Sequence, residues 1–157
     1  MQITTQPITG QESPIDTASD IASSLAALIE FYTAFNNQNL NLMQTNWLQT
    51  DEASMSNPLG GVKRGWVEIE SVYSKIFNGP AKVYVEFYDY TINETESMFV
   101  AVGRERGSLE INGEIIELAI RTSRIYTRYE TRWKQIHHHG SMDNPDLLAR
   151  YQKAVLV

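Results

Sequence analysis

Two arginines fall where an apolar side chain would be expected. Met98, Val100, Val102 and Arg104 alternate onto one face of a strand, and Ile116, Leu118, Ile120, Thr122, Arg124 and Tyr126 share a face of the next. Both arginines therefore continue stripes that should face the core. A guanidinium keeps its charge there, so it needs a carboxylate partner or a bound anion. The open alternatives are a salt bridge to an internal acid such as Glu68 or Glu86, burial in a subunit interface, or a pocket for an anion. The run His137-His138-His139 offers a second kind of chemistry. His137 and His139 share a strand face, and such a pair can supply two metal ligands. No third ligand stands at motif spacing and no cysteine exists, so no metal is expected. Histidine titrates near neutrality, which keeps His139 and His137 as candidate general bases. Tyr32, Trp47, Trp66, Tyr73, Tyr84, Tyr88 and Tyr126 could line an apolar pocket, although aromatics are more often plain core. There is no phosphate-binding glycine loop, no Gly-x-Ser-x-Gly elbow and no paired-carboxylate signature, and no cofactor is expected.

The elements that must position these residues are legible in the periodicity. Residues 1–17 are rich in Thr, Gln, Ser, Pro and Gly and read as a flexible tail, with one domain over 18–157. Ile21, Leu25, Leu28, Ile29, Tyr32 and Phe35 make a helical stripe, with Thr17, Ser19 or Asp20 as caps and Asn36-Asn37 as its end. A short helical turn spans Leu40 to Trp47, and Ala53 to Leu59 looks extended. Trp66, Ile69, Val72, Tyr73, Ile76 and Phe77 mark another amphipathic helix, stopped by Asn78-Gly79-Pro80. Strands follow: Val83, Val85 and Phe87 alternate in the first, and Asn112-Gly113 is a two-residue hairpin turn between the second and third. A tight turn near Glu130-Thr131 leads into Trp133 to Gly140. Asn144-Pro145-Asp146 then opens a last helix carrying Leu147, Leu148, Tyr151 and Val155. Helices first and an antiparallel meander after them predict an α+β domain, its helices packed on one face of a curved sheet.

Composition excludes several classes. At 157 residues, 42% apolar and 20% charged, the chain suits one globular domain rather than a disordered segment. No apolar run approaches the ~18 residues of a membrane helix, and the N-terminus has neither the basic start nor the apolar stretch of a signal peptide. The absence of cysteine excludes disulfides and thiol catalysis and fits a cytoplasmic setting. The net charge is −6, with six acids and no basic residue before Lys63. Six arginines cluster from Arg104 to Arg132, but Glu105, Glu110 and Glu117 are interleaved with them, so neither nucleic acid nor membrane is an expected partner.

Several stretches are similar to a known family. Arg124-Ile-Tyr-Thr-Arg-Tyr-Glu-Thr-Arg-Trp-Lys-Gln-Ile-His-His-His-Gly-Ser141 resembles the end of the calcium/calmodulin-dependent protein kinase II association domain, and Phe99-Val-Ala-Val-Gly-Arg104 resembles its preceding strand. That domain lies in the SnoaL-like, nuclear transport factor 2-like superfamily, and the resemblance covers roughly residues 18–141. It implies a cone-shaped α+β barrel of the cystatin-like type, a pocket in which Arg104 and Arg124 meet small carboxylates, and pairing of two subunits through the sheet. Ketosteroid isomerases of the same superfamily carry an Asp-Pro-x-Gly base segment, which Ser56-Asn57-Pro58-Leu59-Gly60 resembles. Asn57 stands at the base position, and an amide cannot take up the proton. The helix-one tyrosine of those enzymes is matched by Phe31, with Tyr32 adjacent.

Three functions follow as expectations. The favoured one is a homodimeric module binding a small organic anion through Arg104 and Arg124, with Trp66, Tyr88, Tyr126 and Asn57 around it. The second is an isomerase, dehydratase or cyclase in which His139 or His137 replaces the missing carboxylate base and Tyr32 or an arginine stabilises an enolate-like oxyanion. The third is an assembly domain whose cavity has no ligand.

Overall fold

A computed structural model describes residues 6–12 and 23–156. Helix α1 (Ser24–Asn36) is capped by Ser23, whose Oγ accepts the Ala26 N–H at 3.0 Å. The expected caps Thr17, Ser19 and Asp20, and Ile21, lie outside the described residues. The helix buries Ala26, Ala27, Leu28, Phe31, Tyr32, Ala34 and Phe35, while Leu25 faces outwards. Helix α2 (Leu40–Asn46) is short, and Asn39 caps it by accepting the Leu42 N–H at 3.0 Å. Helix α3 (Gly65–Asn78) places Trp66, Ile69, Val72, Tyr73 and Ile76 on its buried face. Helix α4 (Pro145–Leu156) starts at Asn144, whose Oδ1 accepts from the Asp146 and Leu147 N–H groups.

The strands are β1 (Ser54–Ser56), β2 (Lys63–Arg64), β3 (Lys82–Glu94), β4 (Met98–Ile111), β5 (Glu114–Tyr129) and β6 (Arg132–Ser141). They form one sheet in the order β2-β1-β6-β5-β4-β3. The sheet is mixed rather than wholly antiparallel, because β1 runs parallel to β6. The Asn112-Gly113 turn sets the long hairpin, with Ile111 opposite Glu114 and every later pair following in register up to Met98 opposite Thr127. Two irregularities bend the meander, one in β3 between Tyr88 and Thr91 and one where β6 pairs with β5 near Ile125 and Tyr126. At the first, Asp89 takes a φ of 49° and Tyr90 folds against Gly103, where a Cβ would come within 2.6 Å of the Tyr90 Cβ. The helices close over the concave side, and the core of Leu28, Phe31, Tyr32, Ile69, Phe87, Phe99 and Tyr126 lies between the layers.

The expectation of a flexible tail over 1–17 fails at residues 6–12. Ile8 is buried and exchanges two backbone hydrogen bonds with Phe87, at 2.8 and 2.9 Å. Gly10, at φ +82°, lies so close to α1 that a Cβ would sit 2.4 Å from the Thr33 nitrogen. Composition alone missed this docking because one buried isoleucine carries it. Among the described residues no helix is long and apolar enough to cross a membrane.

Candidate functional site

Strand β5 turns Ile116, Leu118, Ile120, Thr122, Arg124 and Tyr126 inwards, and all six are buried. Residues opposite one another in an antiparallel pair share a face. The inward set of β4 is therefore Phe99, Ala101, Glu105 and Leu109, which oppose Tyr126, Arg124, Ile120 and Ile116. Small Ala101 opposite Arg124 leaves the guanidinium room to lie within the cone. There it meets Glu105 at 2.9 Å, with only 2% and 6% of the two side chains exposed. Tyr32 from α1 donates to the same carboxylate oxygen at 2.7 Å and accepts from Arg124 Nε at 3.3 Å. A terminal nitrogen of Arg124 donates to Gln135 Oε1 at 2.9 Å, and the guanidinium carbon lies 3.5 Å from the centre of the Phe31 ring.

The polar chain continues away from the arginine. Gln135 Nε2 and the Tyr126 hydroxyl both donate to Asn46 Oδ1, at 3.2 and 2.9 Å. Asn46 Nδ2 donates to the Ala27 carbonyl and to Glu30, which pairs with Arg132 at 2.9 Å. Burial pushes the Tyr32 and Tyr126 phenols up from their ordinary range, so both act as neutral hydroxyls. A network satisfied member by member fixes side-chain positions at an otherwise apolar centre.

Beside this network lies a cavity of about 40 Å³. Arg124, Glu105, His138 and Asn57 supply its polar lining, and Phe31, Met55, Val85 and Ile120 are among its apolar walls. Tyr73 from α3 and Tyr151 from α4 also line it. The Tyr73 hydroxyl is buried close to Arg124 and Trp47, and burial pushes it up to about 12. His138 Nδ1 lies 3.3 Å from the Ser123 carbonyl, which assigns the proton to Nδ1 and leaves Nε2 as an acceptor. Burial first, then the neighbouring Arg124, hold this imidazole well below its usual range and therefore neutral. Its ring rests against Gly140, where a Cβ would lie 3.1 Å from Nε2.

The structure redistributes the residues expected from sequence. Arg124 and Asn57 line the cavity, and Tyr32 and Tyr126 belong to the polar network behind it. Trp66 is buried in the core but does not line the cavity. Arg104 is on the other side of the sheet, 63% exposed and paired with Asp89 at 3.3 Å. Tyr88 lies on that outer face too, under the Arg106 guanidinium at 4.1 Å. The assignment of β4 faces by apolar count was inverted: Val100 and Val102 point outwards, and Ala101, Gly103 and Glu105 inwards. Counting back through the Asn112-Gly113 turn from β5 would have found Glu105, because the turn pairs 105 with 120. Neither acid considered as its partner serves Arg124: Glu86 pairs with Arg106 at 2.6 Å, and Glu68 accepts the Arg64 N–H at 2.7 Å.

His139 and His137 also leave the site. The irregularity in β6 shifts the alternation, so Gln135 opposes Tyr126 and His138 opposes Arg124. His139 is exposed, and His137 Nδ1 lies 2.8 Å from Ser54 Oγ. Alternation from Trp133 could not find His138, because one inserted residue reverses every face after it. Glu105, His138, Gln135, Asn46 and Tyr151 are the site and network residues that sequence reasoning missed, whereas Tyr73 was among the aromatics expected at a pocket. Among the described residues no three His, Asp or Glu side chains converge as a metal site.

Comparison with known proteins places this geometry in a family. A search of the curated proteins finds no match. Among solved structures, one described as a calcium/calmodulin-dependent protein kinase type II association domain, from Thiobacillus denitrificans, is similar at TM-score 0.64 and 22% identity, over 78% of this chain and 96% of that one. A protein of Streptomyces avermitilis described as a dehydratase of the NTF2-like family gives 0.68 and 19%, over 78% and 95%. A ketosteroid isomerase-like protein of Erwinia carotovora atroseptica gives 0.65 and 19%, over 82% and 100%. At such identities the likeness shows the cone-shaped α+β fold alone. The profile of the SnoaL-like domain matches residues 25–145, most of the chain. The chain belongs to the SnoaL-like domain family.

Proposed function

We propose that the interior of the cone binds a small organic molecule through an oxygen that meets Arg124. The observation that carries this is a fully charged guanidinium, almost completely buried, lining a cavity. Three of its five N–H groups reach Tyr32, Gln135 and Glu105, and Tyr73 of the same cavity lies close to it as well. A carboxylate could meet it, as the sequence suggested, but Glu105 already neutralises the arginine. Thermal shift on wild type, Arg124→Met and Arg104→Ala, with a panel of carboxylic acids, phenols and ketones, tests the reading. A ligand at ~100 times its Kd adds about 2.7 kcal/mol, or roughly 5–10 °C for a domain of this length. Shifts shared by wild type and Arg104→Ala but lost in Arg124→Met support the site. Equal shifts in all three proteins refute it.

A catalytic reading is favoured by one further observation. His138 is neutral, its tautomer is fixed by Ser123, and its Nε2 is an acceptor beside the cavity. It would take the base role that Asn57 cannot fill, in an isomerase, dehydratase or cyclase type of reaction. Two structural neighbours are described as a dehydratase and as ketosteroid isomerase-like. Turnover of a bound panel compound that is lost in His138→Gln and kept in His139→Ala supports it; turnover kept in His138→Gln overturns it. Homodimer formation is proposed for the outer sheet face, where Met98 and Val102 are exposed beside Arg104. A Val102→Glu protein should then run as a monomer in light scattering where the wild type runs as a dimer.

A further inference from the structure

All of helix α4 but its first residue lies beyond the stretch that matches the SnoaL-like domain, residues 25–145. The structural neighbours quoted above are matched over 95–100% of their own length by 78–82% of this chain. Of the twelve residues of α4 only Tyr151, Ala154 and Val155 are buried. Its polar anchors are two: Gln152 Nε2 donates to the Pro58 carbonyl at 2.9 Å, and exposed Arg150 meets Glu114 at 3.1 Å. Yet its one aromatic side chain is pushed into the cone, where Tyr151 lines the cavity and its phenol feels Glu105 and Tyr73.

The volumes decide what this means. A cavity of about 40 Å³ admits a few waters. A benzene-sized guest needs on the order of 150 Å³. No ring fits while Tyr151 is seated, and the ring that does fit is Tyr151 itself. Charge narrows the class further. The lining holds one cation, Arg124, one anion, Glu105, and a neutral imidazole, so an incoming carboxylate would bring an unmatched charge into a low-dielectric space. A neutral hydroxyl would not. It could donate to Glu105, as Tyr32 already does, and accept from Arg124 or Tyr73.

We propose that Tyr151 is an intramolecular stand-in for the ligand, and that the site takes a neutral, single-ring hydroxyarene of the phenol class, which binds when α4 lifts. This rests on reading the cone interior as a binding site and names the ligand class for it.

The test uses the full-length chain with 4-methylphenol, toluene and 4-methylbenzoate as probes, followed by calorimetry and thermal shift. Tyr151→Ala vacates the ring's place. Val155→Glu unseats the helix while leaving the Tyr151 side chain intact, and so covers the case in which the first variant does not fold. In both, 4-methylphenol should bind at least ten-fold more tightly than in wild type, and more tightly than toluene or 4-methylbenzoate. If toluene binds as well as 4-methylphenol, the hydroxyl has no role and the proposal fails. Preference for 4-methylbenzoate overturns the neutral class while the binding site at Arg124 stands. If no probe binds either folded variant, the binding-site reading falls as well. Affinities unchanged from wild type overturn the role of α4 as a stand-in.

Discussion

Glu105→Gln removes one charge from the centre of the cone and almost nothing else. The amide keeps the size of the side chain and can still accept from Tyr32 and from Arg124, so the change isolates the charge. Arg124 then remains ionised at 2% exposure with no anion beside it. Breaking a buried pair on one side costs about 3–5 kcal/mol. The Phe31 ring, 3.5 Å from the guanidinium carbon, offsets part of this. A desolvated cation–π contact contributes about 2 kcal/mol, which leaves a net loss of roughly 1–3 kcal/mol. For a domain of this length that lowers Tm by roughly 2–12 °C. Thermal and urea unfolding followed by circular dichroism would measure it, with Glu86→Gln as the exposed-pair control expected to lose under about 1 kcal/mol. The double variant Glu105→Leu/Arg124→Met should recover most of the loss, since an apolar pair of similar volume replaces an ionic one without a buried charge. A Glu105→Gln protein within ~1 °C of wild type would refute the reasoning, since at least about 1 kcal/mol must appear in Tm.

Three further outcomes are expected. His138 is held neutral in the fold, so below a pH of about 6.5 the unfolded chain takes up a proton that the folded chain refuses, and stability falls by up to ~1.4 kcal/mol per pH unit; urea midpoints from pH 7 to 5 should fall less steeply in His138→Gln than in wild type. Gly107→Ala drives a Cβ to 1.9 Å from the Tyr84 carbonyl oxygen, where β3 and β4 pair, and calorimetry should find it destabilised by about 2 kcal/mol or more. Asn144→Ala removes the cap of α4 and should cost about 1 kcal/mol of helix stability, read as faster amide exchange confined to residues 145–156 with the sheet unchanged.

The local signals held where the physics is local. The Asn112-Gly113 turn, the β5 face and the Asn144-Pro145 start of α4 depend on neighbouring residues in the chain, and each is legible there. The α+β class follows from the order of those elements, and the cone from the family resemblance. Register and curvature are different in kind. Which face of β4 is buried depends on its pairing with β5, so an apolar count put Arg104 inside while the ladder put Glu105 there. One irregularity in β6 exchanged His138 for His137 and His139, because a single inserted residue reverses alternation beyond it. Contacts over long separations are beyond any local pattern: Tyr32 with Glu105, Asn46 with Tyr126, and Tyr151 lining the same cavity as Arg124. The sequence by itself determined the elements, the family-like cone and a buried arginine at 124. Only the tertiary structure decided that this arginine has its own carboxylate, that the neutral histidine beside it is His138, and that Tyr151 of the last helix lines the same cavity. Each of those is a matter of which side chains share a small, desolvated space, and the chain specifies that space only once it is closed.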